Sequence, residues 1–190
     1  MRIVELVIDE NDETSGIEAI SVVETPAIEE NFVALNKHEL QLKEVNKEKR
    51  ILMGAALIPD KSIYRRNDKG DEYYIYFSKE TVRKASELFF KRSNHKNATY
   101  EHKQPIEGMT IVESWIVEGE KDKSAYYGLN LPVGTWAVSM KVDNDEIYEK
   151  AKNGEVKGFS IEGYFADKLD MSMQEAKRQE TINKLKELLK

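Results

Sequence analysis

The sequence has no cysteine, which excludes disulfides, thiolate zinc sites and a thiol nucleophile in one step. Histidine is nearly as scarce: His38, His95 and His102 are the full set. They are scattered, with no His-Glu-x-x-His pattern, so their spacing supports no catalytic zinc. There is no glycine-rich loop to cradle phosphate. No apolar run approaches the ~20 residues that span a bilayer. The opening MRIVELVIDENDE lacks the basic, apolar, small order of a signal peptide. No basic cluster breaks the formal charge of −6, which argues against nucleic acid as a partner. The expectation is a protein of the cytoplasm with no metal, no cofactor, no membrane and no nucleic acid.

What remains is 190 residues, 34% charged and 40% hydrophobic. That is one domain with room for a core and a well-solvated surface. Residues 1–170 read as the domain and 171–190 as a helical extension with the stripe Ile182, Leu185, Leu188, Leu189. Within the domain, 37–50 reads as a charged linker or surface helix.

Strand signals recur along the chain: 2–8, 17–23, 51–58, 72–77, 98–102, 109–117 and 135–142. The run 109–117 carries apolar groups on both faces, which predicts a central strand. Ser78 caps a helix to about Arg92, with Val82, Ala85, Leu88 and Phe89 on one face. Asp143 is expected to cap a second helix that ends at Gly154. Residues 65–71 and 121–128 read as loops.

The segment Gly158-Phe159-Ser160-Ile161-Glu162-Gly163-Tyr164 reads as a strand. Phe159, Ile161 and Gly163 point one way; Ser160, Glu162 and Tyr164 point the other. A hydroxyl between glycines leaves room for close approach. Serine needs a base, usually histidine. His102, at a strand end before a turn, is the candidate; His38 and His95 lie in polar, charged surroundings. Gly158-x-Ser160-x-Glu162 is not a nucleophile elbow, which would need glycine at 162. Taken alone, Ser160 also reads as a small residue in a crowded strand pair, and His102 as a surface histidine.

Several segments taken in order resemble the XkdF-like branch of tailed-phage prohead (capsid maturation) proteases. They are Ala19-Ile20-Ser21-Val22-Val23-Glu24-Thr25-Pro26-Ala27-Ile28, Tyr100-Glu101-His102, Val112-Glu113-Ser114-Trp115-Ile116-Val117, Gly134-Thr135-Trp136 and Gly158-Phe159-Ser160-Ile161-Glu162-Gly163. The resemblance implies an α+β, mainly β fold similar to the herpesvirus assemblin proteases: a β-barrel-like core flanked by a few helices, with a C-terminal helix.

It also implies a serine endopeptidase with Ser160 as nucleophile and His102 as general base. The scaffold and major capsid proteins would be its substrates inside the assembling prohead, with self-association as a further partner relation. In the better-known branch an acidic residue lies in a segment like Glu-x-Ser-x-Val-x-x-Pro-Ala, and that position is Ala19 here. Glu113, on the strand after His102, is the first candidate to orient the imidazole; Glu18 is the alternative, and a dyad completed by water or a carbonyl stays open. The rival function is a non-enzymatic head or scaffold-associated module that uses the barrel and last helix for assembly. A third is a hydrolase of small esters, which would need a closed apolar pocket.

Overall fold

The computed structural model describes residues 2–27, 33–34, 49–66 and 69–188. The segment expected as a charged linker lies almost wholly outside them. In chain order the strands are β1 (Arg2–Val7), β2 (Gly16–Val23), β3 (Val33–Ala34), β4 (Ile51–Leu57), β5 (Ile63–Arg66) and β6 (Glu72–Phe77). Helix α1 (Lys79–Lys91) follows, then β7 (Ala98–Tyr100), β8 (Gln104–Pro105), β9 (Met109–Ile116) and the short α2 (Lys123–Tyr126). The chain closes with β10 (Trp136–Val142), α3 (Asp145–Lys152), β11 (Gly158–Tyr164), β12 (Ala166–Asp167) and α4 (Lys168–Leu188).

The strands form three four-stranded sheets, ordered β12-β1-β6-β5, β3-β4-β10-β9 and β11-β2-β7-β8. The fold is α+β and mainly β, as expected, but the sheets do not close into a barrel. Two pairings are parallel, β1 with β6 and β2 with β7; the second places His102 just past the strand beside Ser21.

One core joins the layers. Trp136, Phe89 and Phe159 are buried, and the Trp136 and Phe89 rings meet edge-on at 5.3 Å, a favoured aromatic geometry. The indole N–H of Trp136 donates to Ser114 Oγ at 2.8 Å, so the buried ring leaves no polar atom unpaired. Helix α1 lies over β2 and β10. Ser78 caps it through Oγ, which accepts from Thr81 N.

Five expectations differ. Strand β9 is an edge strand, not a central one, and Val112 faces solvent on it. The cap of α3 is Asn144, whose Oδ1 accepts from Ile147 N at 3.0 Å, and not Asp143. The loop expected from Arg65 conceals the end of β5, and the loop at 121–128 contains α2. Helix α4 begins at Lys168, three residues early, because it continues from β12 at a hydrogen bond from Leu169 N to Asp167 Oδ1.

Candidate active site

Ser160 lies on β11, an edge strand paired antiparallel with β2. The register sets Ser160 opposite Ser21, and Phe159 opposite Val22. Paired residues share a face. Phe159 and Val22 therefore enter the core, while Ser160 and Ser21 lie on the other side. On β7, Thr99 stands beside Ser21 in the parallel register. Three hydroxyl residues thus form a row across three strands.

The turn after β7 folds His102 back over that row. Lys103 N donates to Tyr100 O at 3.0 Å, and both central residues are left-handed: Glu101 has φ 51° and His102 φ 55°. A turn of this hand favours Asn and Gly. Two side-chain residues there cost on the order of 1–3 kcal/mol each, so something must hold them. The main-chain N–H of His102 donates to Ser21 Oγ at 3.1 Å. The Glu101 carboxylate accepts from Glu24 N at 2.6 Å. Ser21 Oγ in turn donates to Thr99 O at 3.4 Å.

The imidazole is met by Glu162. Nδ1 of His102 lies 3.1 Å from Glu162 Oε1, and Thr99 Oγ1 donates to the same oxygen. Glu162 is two residues after Ser160 on the same face of β11, about 6.6 Å along the strand. In the neutral imidazole the contact selects the tautomer in which Nδ1 donates to the carboxylate and Nε2 keeps its lone pair. Among the described residues neither Nε2 nor Ser160 Oγ has a hydrogen-bond partner. Ser160 is 8% exposed and borders a cavity of about 360 Å³.

The register carries a further fact. Glu162 stands directly opposite Ala19, the position at which the resemblance would place an acid. Between Glu162 and Gly163 the register shifts, since Gly163 pairs with Ile17 and leaves Glu18 as the extra residue. Glu18 is consequently turned out to solvent, and no contact joins it to His102. The other candidate, Glu113, stands on β9 in a different sheet. Its carboxylate holds Lys123 Nζ at 2.5 Å, and that hydrogen bond pulls its pKa below the ordinary value. Glu113 makes no contact with the imidazole, because the chain changes sheets between His102 and β9. His95 stacks on Phe90; His38 lies outside the described residues.

Ser160 and His102 therefore share one small region, and the carboxylate beside them is one that sequence reasoning missed. The signal was present: alternation along β11 puts Glu162 on the face of Ser160. Ser21 and Thr99 had no comparable signal, since their roles arise only from strand pairing. Among the described residues no group of three His, Asp or Glu side chains could hold a metal ion, and no helix is long and apolar enough to cross a membrane.

No curated protein and no solved structure matches the chain. A family model described as "Putative phage serine protease XkdF" matches residues 38–170, most of the chain, including both His102 and Ser160. The chain belongs to the XkdF family of phage serine proteases.

Proposed function

We propose that this protein is the endopeptidase of a phage or prophage that cuts scaffold and/or capsid protein during prohead maturation. Ser160 is its nucleophile, His102 its general base and Glu162 the group that orients the base. One observation carries the assignment. The imidazole is bonded through Nδ1 to a carboxylate two residues from the serine, on the same face of the same strand. The family supplies the reaction class; the choice of scaffold and capsid protein as substrates comes from the resemblance.

The chemistry runs through the free nitrogen. Nε2 takes the Ser160 proton as Oγ attacks a peptide carbonyl. Glu162 stabilises the imidazolium that forms. The imidazolium then gives its proton to the leaving amine, and water repeats the sequence on the acyl-enzyme. The Ser160–His102 hydrogen bond closes when a peptide is seated, as catalytic contacts commonly tighten only in the complex.

The test is a fluorophosphonate probe, read by intact mass and peptide mapping. A single adduct on Ser160, lost in both Ser160→Ala and His102→Ala with unchanged thermal unfolding, is expected. Labelling that persists in either variant would sink the assignment. No adduct on the folded wild type would favour the non-enzymatic head or scaffold-associated module.

A further inference from the structure

The carboxylate that meets His102 is steadied by a residue two strands away from its own. Glu162 is on β11 and Thr99 on β7, and β2 lies between them. The Glu162 side chain therefore crosses β2 to reach its partners. Its path runs over Ala19, its direct register partner, where a methyl group leaves room to pass. Glu162 has little of its own to hold it. It stands on an edge strand, the register shifts immediately after it, and its side chain is 30% exposed. Glutamate also has several freely turning bonds to order.

Thr99 is built the opposite way. Strand β7 has a neighbour on each side, β2 and β8, and Thr99 is buried. A β-branched residue has a restricted χ1, so the backbone decides where Oγ1 sits. That hydroxyl donates to Glu162 Oε1, the same oxygen that meets His102 Nδ1. The main chain of Thr99 is used as well: its carbonyl accepts from Ser21 Oγ, which itself accepts from His102 N. These contacts close a ring through His102 N, Ser21, Thr99, Glu162 and the imidazole. Both ends of His102, main chain and side chain, are thereby referred to Thr99.

We propose that Thr99 is a positioning residue: its hydroxyl keeps the Glu162 carboxylate against Nδ1 and thereby sets which imidazole nitrogen carries the proton. The inference rests on His102 as the base and Glu162 as the group that orients it. An ionised carboxylate only accepts hydrogen bonds, so wherever it is held against Nδ1, that nitrogen must be the donor. Without the hydroxyl the carboxylate is free to turn into water, and the Nδ1–H form loses its selection. Nε2 then carries the proton in part of the molecules, and an imidazole in that form has no lone pair there to take a proton from Ser160.

Two measurements decide the matter. The first needs no turnover. Long-range proton–nitrogen spectra read the tautomer of each histidine at a pH where the rings are neutral, and His102→Ala identifies the signals of His102. Wild type and Thr99→Ser are expected to show the Nδ1–H form. Thr99→Val keeps the shape and the strand preference but removes the hydroxyl, and it is expected to show a mixture with the Nε2–H form. A Thr99→Val spectrum identical to wild type overturns the inference, whether or not Ser160 reacts.

The second is the rate of fluorophosphonate adduct formation on Ser160. Thr99→Val is expected to slow it by about three- to tenfold, and Thr99→Ser to stay close to wild type. In a Glu162→Ala background the same replacement by valine should cost nothing further, because the hydroxyl then has no carboxylate to hold. An equal loss in both backgrounds would show that Thr99 acts through packing alone and overturn the inference. If the folded wild type takes no adduct, the proposed function fails, and the spectra alone uphold or overturn the role of Thr99.

Discussion

Replacing Glu162 by glutamine tests the site at its most informative point. The side chain keeps its size and its reach to Thr99, but loses the charge facing His102. At the observed 3.1 Å, bare attraction between carboxylate and imidazolium would be about 5 kcal/mol at an effective dielectric of 20. Water competes for both groups, whose side chains are 43% and 30% exposed for His102 and Glu162. A hydrogen bond to a charged partner nets about 1.5–3 kcal/mol, and this exposure places the pair in the lower half of that range. Positive charge develops on the imidazole as it takes the Ser160 proton, so under the proposed mechanism the loss falls on the barrier. About 1.5–2 kcal/mol corresponds to a slowing of roughly 10- to 30-fold. The assay is the pseudo-first-order rate of fluorophosphonate adduct formation on Ser160, followed by intact mass, beside Glu113→Gln. Glu162→Gln is expected to be slow and Glu113→Gln to match wild type. A Glu162→Gln rate equal to wild type, or a slow Glu113→Gln, would refute the assignment.

Two further outcomes follow from packing and charge. An ideal Cβ at Gly163 would stand 2.0 Å from Gly16 O and 2.8 Å from Ile17 Cα, so Gly163→Ala must force β11 off β2. Roughly 2–4 kcal/mol of destabilisation is expected, seen as a Tm lower by about 5–15 °C; an unchanged Tm would show that β11 is not seated as described. Glu113 has its folded pKa depressed below 4.5 by the Lys123 hydrogen bond. Its contribution to stability is present above the unfolded pKa and is lost as pH falls through the folded value. The difference in urea midpoint between wild type and Glu113→Gln should therefore shrink as pH drops from neutral to the acid side of 4.5. A constant difference would refute the ion pair.

The parts of the fold legible in the sequence were those set by short-range rules. Alternation sorted the residues of β11 into its two faces, and a serine followed by helical periodicity marked the start of α1. Position within a sheet was not legible in the same way. Apolar groups on both faces of β9 suggested a central strand, yet one flank of an edge strand can be lined with Val112 and stay exposed. Asp143 and Asn144 are both good caps, and only backbone geometry chose between them. The carboxylate at the site depended on pairing: Glu113 is nearer His102 along the chain, but Glu162 is nearer in space because β11, β2 and β7 lie side by side. The left-handed turn at Glu101-His102 could not be read either, since neither residue favours that conformation and distant side chains impose it.

That turn gives the protein a form of timing. His102 is held by Ser21, 81 positions earlier in the chain, and by Glu162, 60 positions later. Neither local sequence nor one hairpin can present the imidazole, because its backbone conformation is unfavourable until strands from the start, middle and end of the chain stand together. A nascent or partly unfolded chain carries the serine and the histidine but not their arrangement. Under the proposed assignment, the pairing of Ser160 with its base is thereby coupled to completion of the fold.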